Sequence, residues 1–140
     1  MNRKVYFTIT ILFIALFFVA GTNIGSAQMN YTVMTAQSAD FGKYLVDGQG
    51  KTLYYFTKDI SGSSTCKGQC ALLWPVFYAE KIMVSEDLDA SEFGVITRDD
   101  GMKQTTFRGW PLYYFSKDMM VGDIKGQGFN GVWFIIKVKE

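Results

Sequence analysis

The heptapeptide LYYFTKD at residues 53–59 returns as LYYFSKD at residues 112–118, with Ser116 in place of Thr57 as the one change. Self-similarity of this kind marks a chain built from two copies of one structural unit. The match widens around that centre. GKTLYYF at 50–56 aligns with GWPLYYF at 109–115 at an offset of 59, KGQ at 67–69 with KGQ at 125–127 at 58, and Trp74 with Trp133 at 59. Upstream, Phe41 and Gly42 align with Phe93 and Gly94 at 52, which predicts extra residues in the second copy. The expected repeats therefore run over about 41–80 and 93–138 of one domain.

Each copy reads as strand, glycine-bearing turn, strand. Residues 43–46 lead through the turn DGQG at 47–50 to a strand over 52–57. In the second copy, strands over 93–98 and 103–107 flank a turn at 99–101, and a reversal at 108–111 leads into the second heptapeptide. Side chains alternate across a strand, so Leu53 and Tyr55 face one way and Tyr54 and Phe56 the other. Both faces are apolar, which predicts an interior strand covered on both sides. Asp59 and Asp118 stand where that strand ends, placed to accept N–H groups of the following loop, as aspartates do in turns.

The carboxyl end alternates Val132, Phe134, Ile136 and Val138 with Trp133, Ile135, Lys137 and Lys139. This predicts a strand with one buried face, its lysines suited to a sheet edge. Helix signals are short: 64–74, stopped before Pro75, and one acidic turn over 85–91. The expected fold is all-β, a compact sandwich or barrel-like meander of two related sheet repeats with at most short helical turns.

The amino terminus sets the compartment. Arg3 and Lys4 precede an apolar run over 5–20, and Gly25, Ser26 and Ala27 supply small residues for cleavage after Ala27. This is the layout of a secretory signal peptide, and the run is shorter than the roughly 20 residues of a bilayer span. The expected product is residues 28–140, exported to the extracellular space or periplasm with no retained membrane span. The chain holds 14 Lys and Arg against 13 Asp and Glu. Losing Arg3 and Lys4 brings the mature charge near −1, without the basic excess that nucleic-acid binding requires. Histidine is absent, so no imidazole serves as base, haem ligand or zinc ligand.

Few residues are left to carry chemistry. The two cysteines, Cys66 and Cys70, read first as a disulfide in an exported chain. The alternative is a redox pair or thiolate ligands for a soft metal such as copper. Methionines add little to a soft-metal site, since only Met119 and Met120 lie close together, and neighbours on an extended segment point apart. Trp74, Trp110 and Trp133 are candidates for an aromatic ligand surface, or else for core. Asp59 and Asp118 would serve a hydrolase only if they met across a cleft. No nucleophile–base set accompanies them.

The motif Tyr54-x-Phe56-x-x-Asp59, repeated as Tyr113-x-Phe115-x-x-Asp118, resembles the hallmark of the secreted-repeat family of predicted lipoproteins with a Yx(F/W/Y)xxD motif. CKGQCALLWP at 66–75, GWPLYYFSKD at 109–118 and the later GQG and GVW resemble it in the same order. The resemblance spans the mature chain. It implies a prokaryotic exported protein whose activity is not established. The chain departs from the family in lacking a lipid-attachment cysteine near its leader, so lipid anchoring is not expected. The functional expectation is a non-catalytic domain, without cofactor, that docks to a cell-envelope component, a protein or a small ligand. The alternatives are a redox or metal-handling module using Cys66 and Cys70, and a hydrolase using Asp59 and Asp118.

Overall fold

The computed structural model describes residues 30–139; the expected leader and its cleavage point lie outside the described residues. Among the described residues the strands are β1 (Val33–Ser38), β2 (Gly42–Asp47), β3 (Tyr54–Phe56), β4 (Phe93–Thr97), β5 (Lys103–Phe107), β6 (Trp110–Pro111) and β7 (Trp133–Ile135), with one short α-helix, α1 (Gln69–Leu73). They form three small antiparallel sheets, β1–β2, β3–β7 and β4–β5–β6, and do not close into a barrel. The all-β expectation stands, in an open rather than a barrel form. The helix signal before Pro75 becomes α1, and the acidic stretch ends in a 3-10 turn over Ala90–Glu92, where the Asp89 carboxylate accepts Ser91 N–H at 2.8 Å.

Backbone hydrogen bonds show how the two units correspond. Leu53 N donates to Leu45 O at 3.1 Å, as Leu112 N donates to Thr105 O at 3.0 Å. Leu45 N reaches Ile136 O at 3.0 Å, as Thr105 N reaches Phe77 O at 2.9 Å. The hairpin β1–β2 thus answers to β4–β5 at an offset of 60, and the upstream alignment at 52 is not structural. Phe41 sits in a turn whereas Phe93 opens a strand. Ladder pairing, not a two-letter match, sets the register. The first unit accordingly begins at β1, upstream of residue 41, and no extra residues separate the hairpin from the heptapeptide in the second copy. The KGQ alignment also fails, because Thr65 and Lys125, not Lys67 and Lys125, occupy the same place relative to their aspartates.

The heptapeptides lie at the centre. Tyr54 N and Tyr113 N each donate to the other's carbonyl at 2.9 Å, a closely spaced antiparallel pair through which a pseudo-two-fold axis passes. As alternation requires, Tyr54, Phe56, Tyr113 and Phe115 enter one apolar cluster with Trp74, Trp133 and Ile135. Leu53, Tyr55, Leu112 and Tyr114 enter the other with Val33, Leu45, Phe77 and Phe107. The carboxyl-terminal segment differs from its one-faced expectation. Trp133 and Ile135 are buried as well as Ile136, because the segment pairs with β3 and then crosses to β2, where Val138 N donates to Lys43 O at 3.0 Å. It lies between both clusters.

Candidate functional site

Around the axis, each repeat completes the other. Tyr54 donates its hydroxyl to Asp118 at 2.6 Å, and Tyr113 donates to Asp59 at 2.7 Å. Each tyrosine of a Tyr-x-Phe-x-x-Asp motif is thus bound by the aspartate of the other motif. The second carboxylate oxygen fastens the following loop: Asp59 accepts Thr65 N at 2.7 Å and Asp118 accepts Lys125 N at 3.0 Å. The loop-tying role read from the sequence is therefore present, and the cross-repeat bond was not read. A buried tyrosine needs a partner for its hydroxyl; two buried tyrosines and two aspartates in matched places were the available signal.

Burial shapes the electrostatics of these pairs. It pushes the phenols of Tyr54 and Tyr113 well above the usual tyrosine range, with the neighbouring carboxylates adding to the rise. Burial also raises Asp118, against the lowering effect of the Tyr54 hydroxyl and Lys125 N–H. Each carboxylate is taken up by a tyrosine hydroxyl and a loop N–H.

Beside these pairs, Trp74 and Trp133 stack at 3.8 Å with ring planes 3° apart, flanked by Phe115 at 4.3 Å and Phe56 at 4.2 Å. Tyr54 and Tyr113 pack edge-on against Trp74 and Trp133, an arrangement that ring quadrupoles favour. Trp74 and Trp133 are 1% and 3% exposed. They are core, which corrects the reading of three tryptophans as a ligand surface: symmetry brings these two onto the axis and leaves Trp110 near the surface.

Cys66 and Cys70 are joined as a disulfide, with no free cysteine among the described residues. A ring this short stabilises by about 2 kcal/mol in the chain-entropy picture and fixes the loop entering α1. Under that loop lies Arg98, 5% exposed and not singled out by sequence. Its guanidinium donates to Cys66 O at 2.6 Å and Gln104 Oε1 at 2.9 Å, and to Ser64 Oγ, which in turn meets the Tyr113 hydroxyl at 2.6 Å. A buried cation with its N–H groups satisfied in this way is a structural tie. Met119 and Met120 lie exposed on a loop, and no cluster of three or more His, Cys, Asp or Glu able to hold a metal occurs among the described residues.

Two open grooves lie off the axis among the described residues: one of about 520 Å³ runs between the start of β1 and the turn after Asp47, beside Phe77 and Ala79, and the other is walled by aromatic rings. Tyr55, Phe107, Trp110, Phe134 and Ile136 form its apolar walls, and Arg108, Gln127 and Lys137 its polar rim, around a volume of about 480 Å³. Tyr55 and Trp110 meet edge-on at 5.6 Å. Gln127 accepts Ile135 N at 2.8 Å through its carbonyl oxygen, which leaves its NH₂ group as a donor. Arg108 pairs with Glu92 at 2.6 Å, and its side chain is half exposed. Among the proposed tryptophans, Trp110 alone reaches this surface.

No helix among the described residues is long and apolar enough to cross a membrane. Comparison with curated proteins and with solved structures finds no match. A family model does match, over residues 34–78 and 94–137, the same two units that the ladder pairing defines. The chain belongs to the Lipoprotein_15 family, described as a secreted repeat of unknown function.

Proposed function

We propose that this protein is a non-catalytic binding module that works at the cell envelope, outside the cytoplasm, and that the Tyr55–Trp110–Phe134 groove is its binding face. The observation that carries this reading is a division of labour among the aromatic residues. The motif tyrosines, their aspartates and the two stacked tryptophans are all used between the repeats. The groove aromatics instead line an accessible concavity with donors at its rim, the make-up of a small-molecule or side-chain binding site. The closed Cys66–Cys70 bridge and the engaged carboxylates of Asp59 and Asp118 support the same reading over redox, metal and hydrolytic ones.

The test is a screen of uncharged and charged aromatic fragments against the mature protein, followed by amide chemical shifts. Hits are expected to move resonances of residues 55, 107–110 and 134–137, and Trp110→Ala is expected to abolish them. A screen whose hits avoid this groove, or are indifferent to Trp110→Ala, overturns the assignment.

A further inference from the structure

The duplication supplies an internal comparison for the groove. The place in one repeat that corresponds to Tyr55 is held in the other by Tyr114, at an offset of 59. There the tyrosine hydroxyl is engaged, and a second open pocket of about 520 Å³ beside Asp47 and Phe77 is not lined by that ring. Tyr114 donates its hydroxyl to Asp47 Oδ2 at 2.8 Å, Lys51 Nζ lies 5.9 Å from the ring centroid, and Phe77 packs edge-on at 5.7 Å. The other oxygen of Asp47 is held by the N–H groups of Gln49 and Lys51 at 2.9 and 2.8 Å. The chain thus places a carboxylate, with a cation close by, against this tyrosine.

Around Tyr55, the corresponding backbone positions carry different side chains. Phe107 replaces Asp47 and Trp110 replaces Lys51, so the carboxylate is gone and an aromatic wall has taken its place. The Tyr55 hydroxyl has no hydrogen-bond partner among the described residues. Around it stand Arg108, Gln127 and Lys137, and no acidic residue lines the groove. Arg108 shares its charge with Glu92, but a guanidinium has five N–H donors and keeps some for a ligand. Lys137 is exposed and forms no ion pair with a described residue. The groove combines four aromatic rings with side-chain donors and provides no negative partner for them.

We propose that this groove binds a small carboxylate borne on a flat apolar body. The ligand carboxylate accepts from the Tyr55 hydroxyl on the side of the groove lined by Lys137 and Arg108, while the flat body lies against Trp110 and Phe134. This rests on the binding role proposed above and adds the chemical class of the ligand. A neutral flat molecule would satisfy the walls and leave the donors without an acceptor, and a group that only donates would meet other donors.

The experiment compares indole-3-propionate with its neutral primary amide by amide-shift titration of the mature protein. The carboxylate is expected to bind in the groove about tenfold more tightly than the amide. Tyr55→Phe and Lys137→Gln, both conservative at exposed or half-buried positions, are each expected to weaken the carboxylate several-fold and the amide by clearly less. Equal binding of the two compounds in the groove overturns the carboxylate assignment and leaves the binding face standing. Binding of the carboxylate elsewhere, or no binding at millimolar concentration, also overturns it; the fragment screen then decides separately whether the groove binds at all.

Discussion

Replacing Tyr54 by phenylalanine removes one oxygen atom and strands two partners. The hydroxyl donates to Asp118 at 2.6 Å and accepts Gly126 N–H at 3.2 Å, both in the interior. A hydrogen bond to a charged acceptor contributes about 1.5–3 kcal/mol, and a buried N–H left without an acceptor costs about 1 kcal/mol or more. Tyr54→Phe should therefore lose about 3 kcal/mol, a large share of the roughly 5–15 kcal/mol typical of a domain. The sharper quantity is coupling. In a double-mutant cycle followed by urea unfolding at neutral pH, Tyr54→Phe and Asp118→Asn should couple by more than about 1 kcal/mol. Tyr54→Phe and Asp59→Asn, which join the tyrosine to the aspartate of its own motif, should add to within about 0.5 kcal/mol. Coupling to Asp59 and additivity with Asp118 would show that each motif is closed on itself, and the exchange between repeats would be wrong.

Two further outcomes come from the same core. Gly126 lies where an added Cβ would sit 2.8 Å from both Trp74 Cη2 and Tyr54 Cε1. Rigid buried rings cannot yield, so Gly126→Ala should cost about 1–3 kcal/mol or more, well beyond Gly94→Ala, where the near atom is Thr106 Oγ1 at 3.1 Å; equal midpoints in urea would contradict this packing. Burial holds the Tyr54 and Tyr113 phenols above their ordinary range. Their contribution to stability is therefore complete below about pH 10, the unfolded value, and is lost as pH rises beyond it. Linkage gives about 1.4 kcal/mol per pH unit for each, or nearly ~3 for the pair. Urea midpoints that stay flat above pH 10, or phenolate absorbance that reaches its full unfolded value while the chain is still folded, would refute it.

The parts of this fold that were legible in the sequence depend on local rules. Alternation assigned Tyr54 and Phe56 to one side and Leu53 and Tyr55 to the other, because strand geometry leaves no choice once the segment is extended. Asp59 and Asp118 were legible as loop ties because the loop N–H groups follow within a few residues. Facts that depend on the relation between repeats were harder to read. The correspondence of β1 with β4 carries almost no shared letters, since backbone ladders tolerate Met34, Thr35 and Ala36 where the second copy has Gly94, Val95 and Ile96. Trp74 and Trp133 read equally as ligand surface or as core, because nothing local says that symmetry will stack them face to face. Arg98 reads only as the last residue of a strand, since apart from Asp100 its partners Ser64, Cys66 and Gln104 come from other segments.

A duplicated domain places two demands on its sequence, and they fall on different residues. On the axis, each contact needs one partner from each copy, so a change in one motif damages an interaction that the other motif also needs. Tyr54 with Asp118, Tyr113 with Asp59, and Trp74 with Trp133 are of this kind, which is why the heptapeptide appears twice with almost the same letters. Away from the axis no such reciprocity holds, and the two copies are free to differ. They differ beside the second tyrosine of each motif: Asp47 engages the Tyr114 hydroxyl with Lys51 near its ring, while Phe107 and Trp110 stand at the matching places beside Tyr55. The most similar segments of this chain therefore explain how it stands, and the positions at which its halves disagree are where a ligand has room to act.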